Sequence, residues 1–191
     1  SGAFRWTVGG GQQDLGNLGG ATNTVTANGI NSAGQIVGGV SVPPTNTFNG
    51  YLWTPSGGMQ VLPNLGGQTV NPRAINDSGQ VTGWTTPGTA QAFLWTAAGG
   101  VQTLASLPGG DTYSQGLSIN ASGQVAGFSY LNNAGSSSRA FRWTAAGGMQ
   151  DLGVGNGSFA LAISASGAVV GYKPNVANIT DADPFLWTAP S

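Results

Sequence analysis

The sequence predicts an all-β fold, a β-propeller built from four-stranded antiparallel blades. Two observations lead to this prediction. An aromatic-x-Trp-Thr motif recurs along the 191 residues, and short β-prone runs alternate with Gly, Asn and Ser. A helical array is excluded because 34 glycines and ten prolines would interrupt helices throughout the chain.

The aromatic motif occurs five times, and a second motif recurs between its copies. The second motif, called the turn motif below, reads Ile-Asn-x-x-Gly-Gln-Val-x-Gly, with Ile36 in place of Val in the first of its four copies. The last copy has the altered form Ile-Ser-Ala-Ser-Gly-Ala-Val-Val-Gly. A period in the mid-forties is typical of propeller blades. The tryptophans of the aromatic motif are Trp6, Trp53, Trp95, Trp143 and Trp187.

Each repeat is predicted to contain four strands, a to d. Strand a ends at the Ile-Asn of the turn motif, and Asn-x-x-Gly forms a tight hairpin because Asn caps the turn and Gly accepts a positive φ. Strand b is the Gln-Val-x-Gly run, and a variable loop leads to strand c, the aromatic motif. Its two aromatic side chains share one face, and the Arg or Leu between them lies on the other. Gly-Gly then turns the chain into strand d.

These elements divide a single domain into repeats with one short piece at the N-terminus. The predicted repeats are 22–65, 66–108, 109–153 and 154–188, with a partial blade at 3–18, and the predicted b–c loops are 40–50, 85–92, 129–140 and 173–184.

The strand count leaves two arrangements open. The motifs supply four copies each of strands a, b and d but five copies of strand c. This count predicts about four blades, or five with a shared or partial terminal blade. Either the two terminal motifs share one blade and leave a strand over, or they lie in different blades and leave an open edge that invites another chain. We expect the edge strands to carry Phe4, Trp6, Phe185 and Trp187.

Composition excludes several classes of function. Charged residues make up 6% of the chain, where about 25% is usual. A net charge of −1 argues against a nucleic-acid partner, and the absence of His and Cys argues against a zinc or iron–sulfur site. The sequence contains no run of about 20 apolar residues, so it predicts no membrane span. We expect no metal and no cofactor.

The motifs resemble the HAF-type "probable extracellular repeat" family of bacteria over essentially the whole chain. The shared motifs are Ala-Phe-x-Trp-Thr, Gly-Gly-Met-Gln-Asp-Leu-Gly, Leu-Gly-Gly and Ile-Asn-Asp-Ser-Gly-Gln-Val-x-Gly. The family's histidine before Ala-Phe is replaced here by Gly2, Gln91 and Arg139, so any role of that histidine is lost. The resemblance implies an extracellular or cell-surface protein and brings no catalytic residues.

An enzyme is the least favoured interpretation. The chain has six aspartates and no glutamate, and a glycosidase needs two carboxylates that flank the scissile bond. Asp14 and Asp151 belong to the repeated strand d, and Asp77 belongs to a turn. Asp111, Asp181 and Asp183 are expected to be solvated loop carboxylates. Asp181 and Asp183, together with Asn178, could offer oxygen ligands to calcium, but they lack the spacing of an EF-hand.

Aromatic loop residues carry the alternative of glycan binding. Phe48 and Tyr130 are predicted to lie in b–c loops, with Arg139 near the second. We therefore list Phe48, Tyr130, Arg139, Asp181 and Asp183 as candidate ligand-binding residues. The favoured interpretation is a non-catalytic extracellular structural module whose partner is itself, in a homo-oligomer or polymer formed by terminal strand or blade completion. The alternative partner is an extracellular polysaccharide.

Overall fold

The protein is described by a computed structural model, which covers residues 2–44, 47–86, 88–108, 113–131, 137–175 and 181–189. Within these residues the chain forms 17 β-strands and no helix. The strands make five antiparallel sheets that follow one another along the chain. The predicted all-β fold with four-stranded antiparallel blades is confirmed.

Three sheets contain the four predicted strands in the hydrogen-bonded order a-b-c-d. Blade 1 contains β3 (Thr24–Ile30), β4 (Ile36–Val42), β5 (Thr47–Thr54) and β6 (Gly58–Val61). Blade 2 contains β7 (Thr69–Ile75), β8 (Val81–Thr86), β9 (Ala92–Thr96) and β10 (Gly100–Thr103). Blade 3 contains β11 (Ser114–Ile119), β12 (Val125–Tyr130), β13 (Ser138–Thr144) and β14 (Gly148–Asp151).

The first and last sheets are shorter, and they are separate from each other. The N-terminal hairpin consists of β1 (Phe4–Thr7) and β2 (Gly11–Asp14), which correspond to strands c and d. The C-terminal sheet consists of β15 (Phe159–Ile163), β16 (Val169–Pro174) and β17 (Ala182–Trp187), which correspond to strands a, b and c. Of the two predicted arrangements, the described chain therefore has the one in which the terminal aromatic motifs lie in different sheets.

The predicted b–c loops were too long. Strands b and c extend into them, so that Phe48 lies in β5, Tyr130 ends β12 and Arg139 lies in β13. The reason is that these variable segments keep pairing across the sheet, as in Ser41↔Phe48 and Tyr130↔Ser138. Variation in sequence marked these segments, but it did not interrupt their strands.

Strand b requires glycine at its centre because strand a is bulged beside it. At Gly127, for example, an added Cβ would overlap the carbonyl oxygen of Gln115 and approach the ring of Phe141 to 3.0 Å. Steric exclusion therefore fixes the last glycine of the turn motif. The four glycines in this position are Gly38, Gly83, Gly127 and Gly171.

The asparagine of the turn motif does more than cap its own hairpin, because it also joins neighbouring sheets. Asn76 accepts backbone N–H bonds from Ser78 and Gln80 at 3.1 and 2.9 Å, as the turn prediction expects. Its amide also donates to the carbonyl oxygen of Asn120 in the next blade at 2.9 Å. The same bond runs from Asn31 to Asn76 and from Asn120 to Ser164, so a ladder of asparagine side chains connects four consecutive sheets.

The hydrophobic core is divided into four clusters, each between consecutive sheets. In every junction, the aromatic face of one strand c packs on the opposite face of the preceding sheet. The first aromatic residue of the motif is fully buried in all three complete blades, namely Tyr51, Phe93 and Phe141. This stacking of sheet on sheet leaves one face uncovered at each end of the series.

Candidate functional site

The junction between consecutive sheets follows one rule, which the arginines of the aromatic motif show most clearly. The guanidinium of Arg5 lies 4.7 Å from the ring centroid of Trp53 in the next sheet. The guanidinium of Arg142 lies 5.2 Å from the ring centroid of Trp187, again in the next sheet. Both distances are those of cation–π contacts.

The leucines that replace arginine in the middle of the motif occupy the same place. Leu52 packs against the cluster that Trp95 also packs against, and Leu94 shares a cluster with Trp143. In all four junctions the middle residue of one aromatic motif therefore shares a cluster or a cation–π contact with the tryptophan of the next. Five motifs form four such junctions and leave one tryptophan and one middle residue over.

The two residues left over are Trp6 in the N-terminal hairpin and Leu186 in the C-terminal sheet. Trp6 is 64% exposed, whereas its equivalent Trp143 is 7% exposed. Leu186 is 70% exposed, whereas its equivalent Leu94 is 8% exposed. The two ends of the described chain thus show the two complementary halves of the interior junction.

The predicted edge residues separate into two kinds. Phe4 and Trp6 are exposed on β1, whose partner among the described strands is β2. Phe185 and Trp187 instead pack against the cluster between blade 3 and the C-terminal sheet, although their strand β17 has one edge without a described partner. The exposed apolar side chain of β17 is Leu186, which the sequence did not single out.

Phe48 is a packing residue of blade 1. Its ring lies against Gly39, where an added Cβ would overlap the ring. The positions equivalent to Gly39 in the other sheets hold Trp84, Phe128 and Tyr172, so Phe48 supplies from strand c the ring that strand b lacks here. It lies two blades away from Tyr130, and the structure does not bring these candidates together.

Arg139 is held within blade 3 by polar partners. Its guanidinium donates to Asp151 at 2.8 Å and to Asn156 at 2.6 Å. Asp151 also accepts the backbone N–H of Gly153, as Asp14 accepts that of Gly16, which explains the repeated aspartate of strand d. Since Arg139 opposes Ser129 and not Tyr130, it lies on the face opposite to that tyrosine.

Asp181 and Asp183 both contact Asn175. Asp183 lies in β17 and accepts a hydrogen bond from the amide of Asn175 at 2.8 Å, and the backbone oxygen of Asp181 accepts the N–H of Asn175 at 3.0 Å. Asp111 and Asn178 lie outside the described residues. Among the residues that are described, no group of three or more Asp, Glu, His or Cys side chains could hold a metal ion.

Sequence reasoning missed a row of five aromatic rings that joins blade 3 to the C-terminal sheet. Consecutive centroids along the row are 4.7, 5.5, 4.6 and 5.1 Å apart, and the last pair is stacked with 22° between the ring planes. The rings, in order, are Tyr113, Tyr130, Phe128, Phe159 and Tyr172. Every contact between two aromatic rings in the described part of the chain belongs to this row.

The row lies where strand a begins and strand b ends, on one end of two adjacent sheets. Burial raises the pKa of Tyr113, the nearby Tyr130 raises it further, and a hydrogen bond from Gln115 to its hydroxyl at 2.6 Å opposes the rise. The Tyr113 hydroxyl is therefore neutral at physiological pH. The only signal in the sequence is the aromatic residue at the equivalent positions Trp84, Phe128 and Tyr172, which by itself indicates packing within the repeat.

Comparison with known proteins supports the fold and no more. No protein-family model matches the sequence, and no curated protein matches it. Among solved structures, the X-ray structure of a "putative gluconolactonase" aligns with 91% of this chain at 10% sequence identity and a TM-score of 0.50. The chain spans 64% of that protein's length. This likeness shows a propeller-type fold, and the activity in that protein's name does not follow for this chain. The resemblance to HAF-type repeats stays a prediction.

The described residues also include no helix that is long and apolar enough to cross a membrane.

Proposed function

We propose that this protein is a non-catalytic structural module that associates end to end with copies of itself. The observation that carries this proposal is the pair left over by the junction rule, Trp6 at one end and Leu186 at the other. In each interior junction the equivalents of these two residues are brought together from consecutive sheets. Leu186 of one copy has the geometry to cover Trp6 of the next.

The distribution of exposed apolar side chains supports association at the ends. Nine large hydrophobic side chains are exposed in the described part of the chain, and eight of them belong to the end sheets or to Ile30, which faces the N-terminal hairpin. Contiguous exposed apolar surface is typical of interaction sites. The eight side chains are Phe4, Trp6, Val8, Ile30, Leu161, Val170, Tyr172 and Leu186.

A second copy of the chain is the partner that these faces fit. The exposed face of the C-terminal sheet, which carries Leu186, is equivalent to the face that blades 2 and 3 bury against the next sheet. At the other end, β1 exposes the aromatic face that blades 1 to 3 bury against the preceding sheet. Contact between two different faces is heterologous, so it continues into an open assembly unless the rotation closes a ring. A net charge of −1 offers little repulsion between copies.

The non-catalytic part of the proposal is supported by how the candidate side chains are used. Arg139 and Asp151 pair with each other, and Asp183 accepts a hydrogen bond from Asn175. These side chains serve turns and sheets in the described residues. The expected place of such a module at the cell surface rests on the resemblance to HAF-type repeats.

Light scattering coupled to size exclusion tests the association directly. The wild-type chain should give a mass that rises with concentration above 19.0 kDa. Leu186→Ser should raise the dissociation constant about tenfold or more, because a buried leucine contributes roughly 1.5–3 kcal/mol. Val61→Ser is the matched control, because Val61 is 50% exposed on β6 of blade 1 and away from the exposed end faces.

The control should associate like the wild type. A wild-type protein that stays at 19.0 kDa at all concentrations would overturn the proposal. Equal effects of Leu186→Ser and Val61→Ser would also overturn it, because the contact would then not involve the end face.

A further inference from the structure

We infer that the row formed by Tyr113, Tyr130, Phe128, Phe159 and Tyr172 is a binding surface for an uncharged carbohydrate chain. The inference rests on the juxtaposition of five aromatic rings from two adjacent sheets, with consecutive centroids 4.6–5.5 Å apart. It does not rest on the proposed association of chain ends, which would cover Tyr172 on the exposed face of the C-terminal sheet and leave Tyr113 and Tyr130 in blade 3.

Phe128 and Tyr172 occupy a position that carries a ring throughout the repeat, but the other three rings of the row have no counterpart in the other blades. The position of Phe159 at the start of strand a is occupied by Thr26, Asn71 and Gln115 in blades 1 to 3, and those junctions form without an aromatic ring there. Tyr113 and Tyr130 add two further rings at the same end of blade 3. An aromatic surplus at one place in a repetitive fold indicates a local function.

The row is accessible along most of its length. Phe128 is buried beneath its neighbours, whereas the other four rings keep part of their surface exposed, and Tyr172 is 37% exposed. Large apolar rings with polar tips are characteristic of ligand sites that need both stacking and hydrogen bonds. The buried Phe128 supports the exposed rings from below.

The chemistry of the row selects a neutral ligand with flat apolar faces and a hydroxyl rim. Polar atoms beside the rings include the tyrosine hydroxyls and the amide of Gln115, which donates to the Tyr113 hydroxyl at 2.6 Å. Sugar rings present C–H faces that stack on aromatic rings and hydroxyls that hydrogen-bond at the edge. The partly exposed rings on both sides of the buried Phe128 offer more than one place where a sugar ring can stack.

Charge argues against a nucleic-acid strand, the other polymer that stacks on aromatic rows. Such sites combine the rings with a basic groove that follows the phosphates. Here Arg139 lies on the opposite face and is paired with Asp151, and Lys173 in β16 stands opposite Asp183. The whole chain has a net charge of −1.

Isothermal titration calorimetry with neutral hexasaccharides tests the inference. The probes are cellohexaose, laminarihexaose and chitohexaose. Each is used at about 1 mM, so that binding with a dissociation constant in the millimolar range is also detected. At least one should bind. Tyr130→Ala should weaken its binding about tenfold, because one aromatic stacking contact is worth roughly that factor, and Tyr130→Phe should stay within about threefold.

Two further variants protect the test against misfolding. Tyr113→Ala removes a different ring of the row and should weaken binding by a similar factor. Phe48→Ala removes a ring of blade 1 that packs on Gly39 outside the row, and it should bind like the wild type. Circular dichroism and a thermal melt check that each variant is folded.

Three results would overturn the inference. The first is no binding of any hexasaccharide to the wild-type protein. The second is binding that Phe48→Ala weakens as much as Tyr130→Ala does. The third is binding of oligo(dT) that competes with the saccharide and is lost in the same variants. Because Tyr113 and Tyr130 lie in blade 3, these outcomes leave the mass of the associated protein unchanged and remain distinct from the test of end-to-end contact.

Discussion

Replacing Asn76 with alanine is the sharpest perturbation of the ladder that connects the sheets. Asn76 is 5% exposed, and its side chain makes four hydrogen bonds. Its amide donates to Gln80 and to Asn120 of the next blade at 2.7 and 2.9 Å. Its oxygen accepts two N–H bonds within the turn, from Ser78 and Gln80 at 3.1 and 2.9 Å.

The expected cost follows from those bonds. Each is worth about 0.5–1.5 kcal/mol net, so Asn76→Ala should lower the free energy of unfolding by about 3 kcal/mol, since water can replace some partners in the turn. In a chain of this size that corresponds to a fall in Tm of roughly 6–12 °C. Asn76→Ser should cost less, because serine at the equivalent Ser164 still accepts a turn N–H, from Ala168 at 3.1 Å.

Urea denaturation followed by tryptophan fluorescence and circular dichroism measures the effect. Ser164→Ala is the matched control, because Ser164 has the same place in the C-terminal sheet but is exposed and, among the described residues, donates to no following sheet. Ser164→Ala should lower the free energy of unfolding by less than about 1 kcal/mol. Equal costs for Asn76→Ala and Ser164→Ala would refute the reasoning, because the bond to the next blade would then contribute nothing.

Three further predictions concern the repeat itself. Gly127→Ala should destabilise the fold by about 1–3 kcal/mol in a denaturant titration, because its Cβ overlaps a strand a carbonyl. Hydrogen bonds from Ser32 lower the pKa of Asp77 below its ordinary value of 3.8. The wild type should therefore have a higher free energy of unfolding than Asp77→Asn above pH 3.8, and this difference should disappear as the pH falls through the lowered pKa. Urea titrations at several pH values measure the difference. Trp143→Ala should cost about 3–5 kcal/mol, whereas exposed Trp6→Ala should change the monomer's Tm little.

The sequence predicts the strands well because their determinants are local. Alternation in the aromatic motif places Phe141 and Trp143 on one face and Arg142 on the other, and glycine with asparagine marks the hairpins. These features depend on residues within one repeat. The same local view predicts Asn76 as a turn residue and misses its bond to Asn120, because that bond joins residues 44 positions apart.

The candidate site is harder to predict because its parts come from different repeats. Variation made Phe48 look like a loop residue, whereas its ring compensates for Gly39 on the neighbouring strand. Tyr130 was singled out, but the meeting of Phe128 with Phe159 depends on how two sheets stack. The exposure of Leu186 likewise follows from its being the last member of a series of junctions.

Disulfide trapping between two single-cysteine variants tests the end-to-end contact most directly, since these 191 residues include no cysteine. Trp6→Cys and Leu186→Cys are mixed under mild oxidation, and the products are separated by mass. The account predicts that disulfide dimers containing one copy of each variant dominate over dimers of either variant alone. Trapping that joins each variant only to itself, or no trapping at concentrations where light scattering shows that the mixed variants associate, would contradict it.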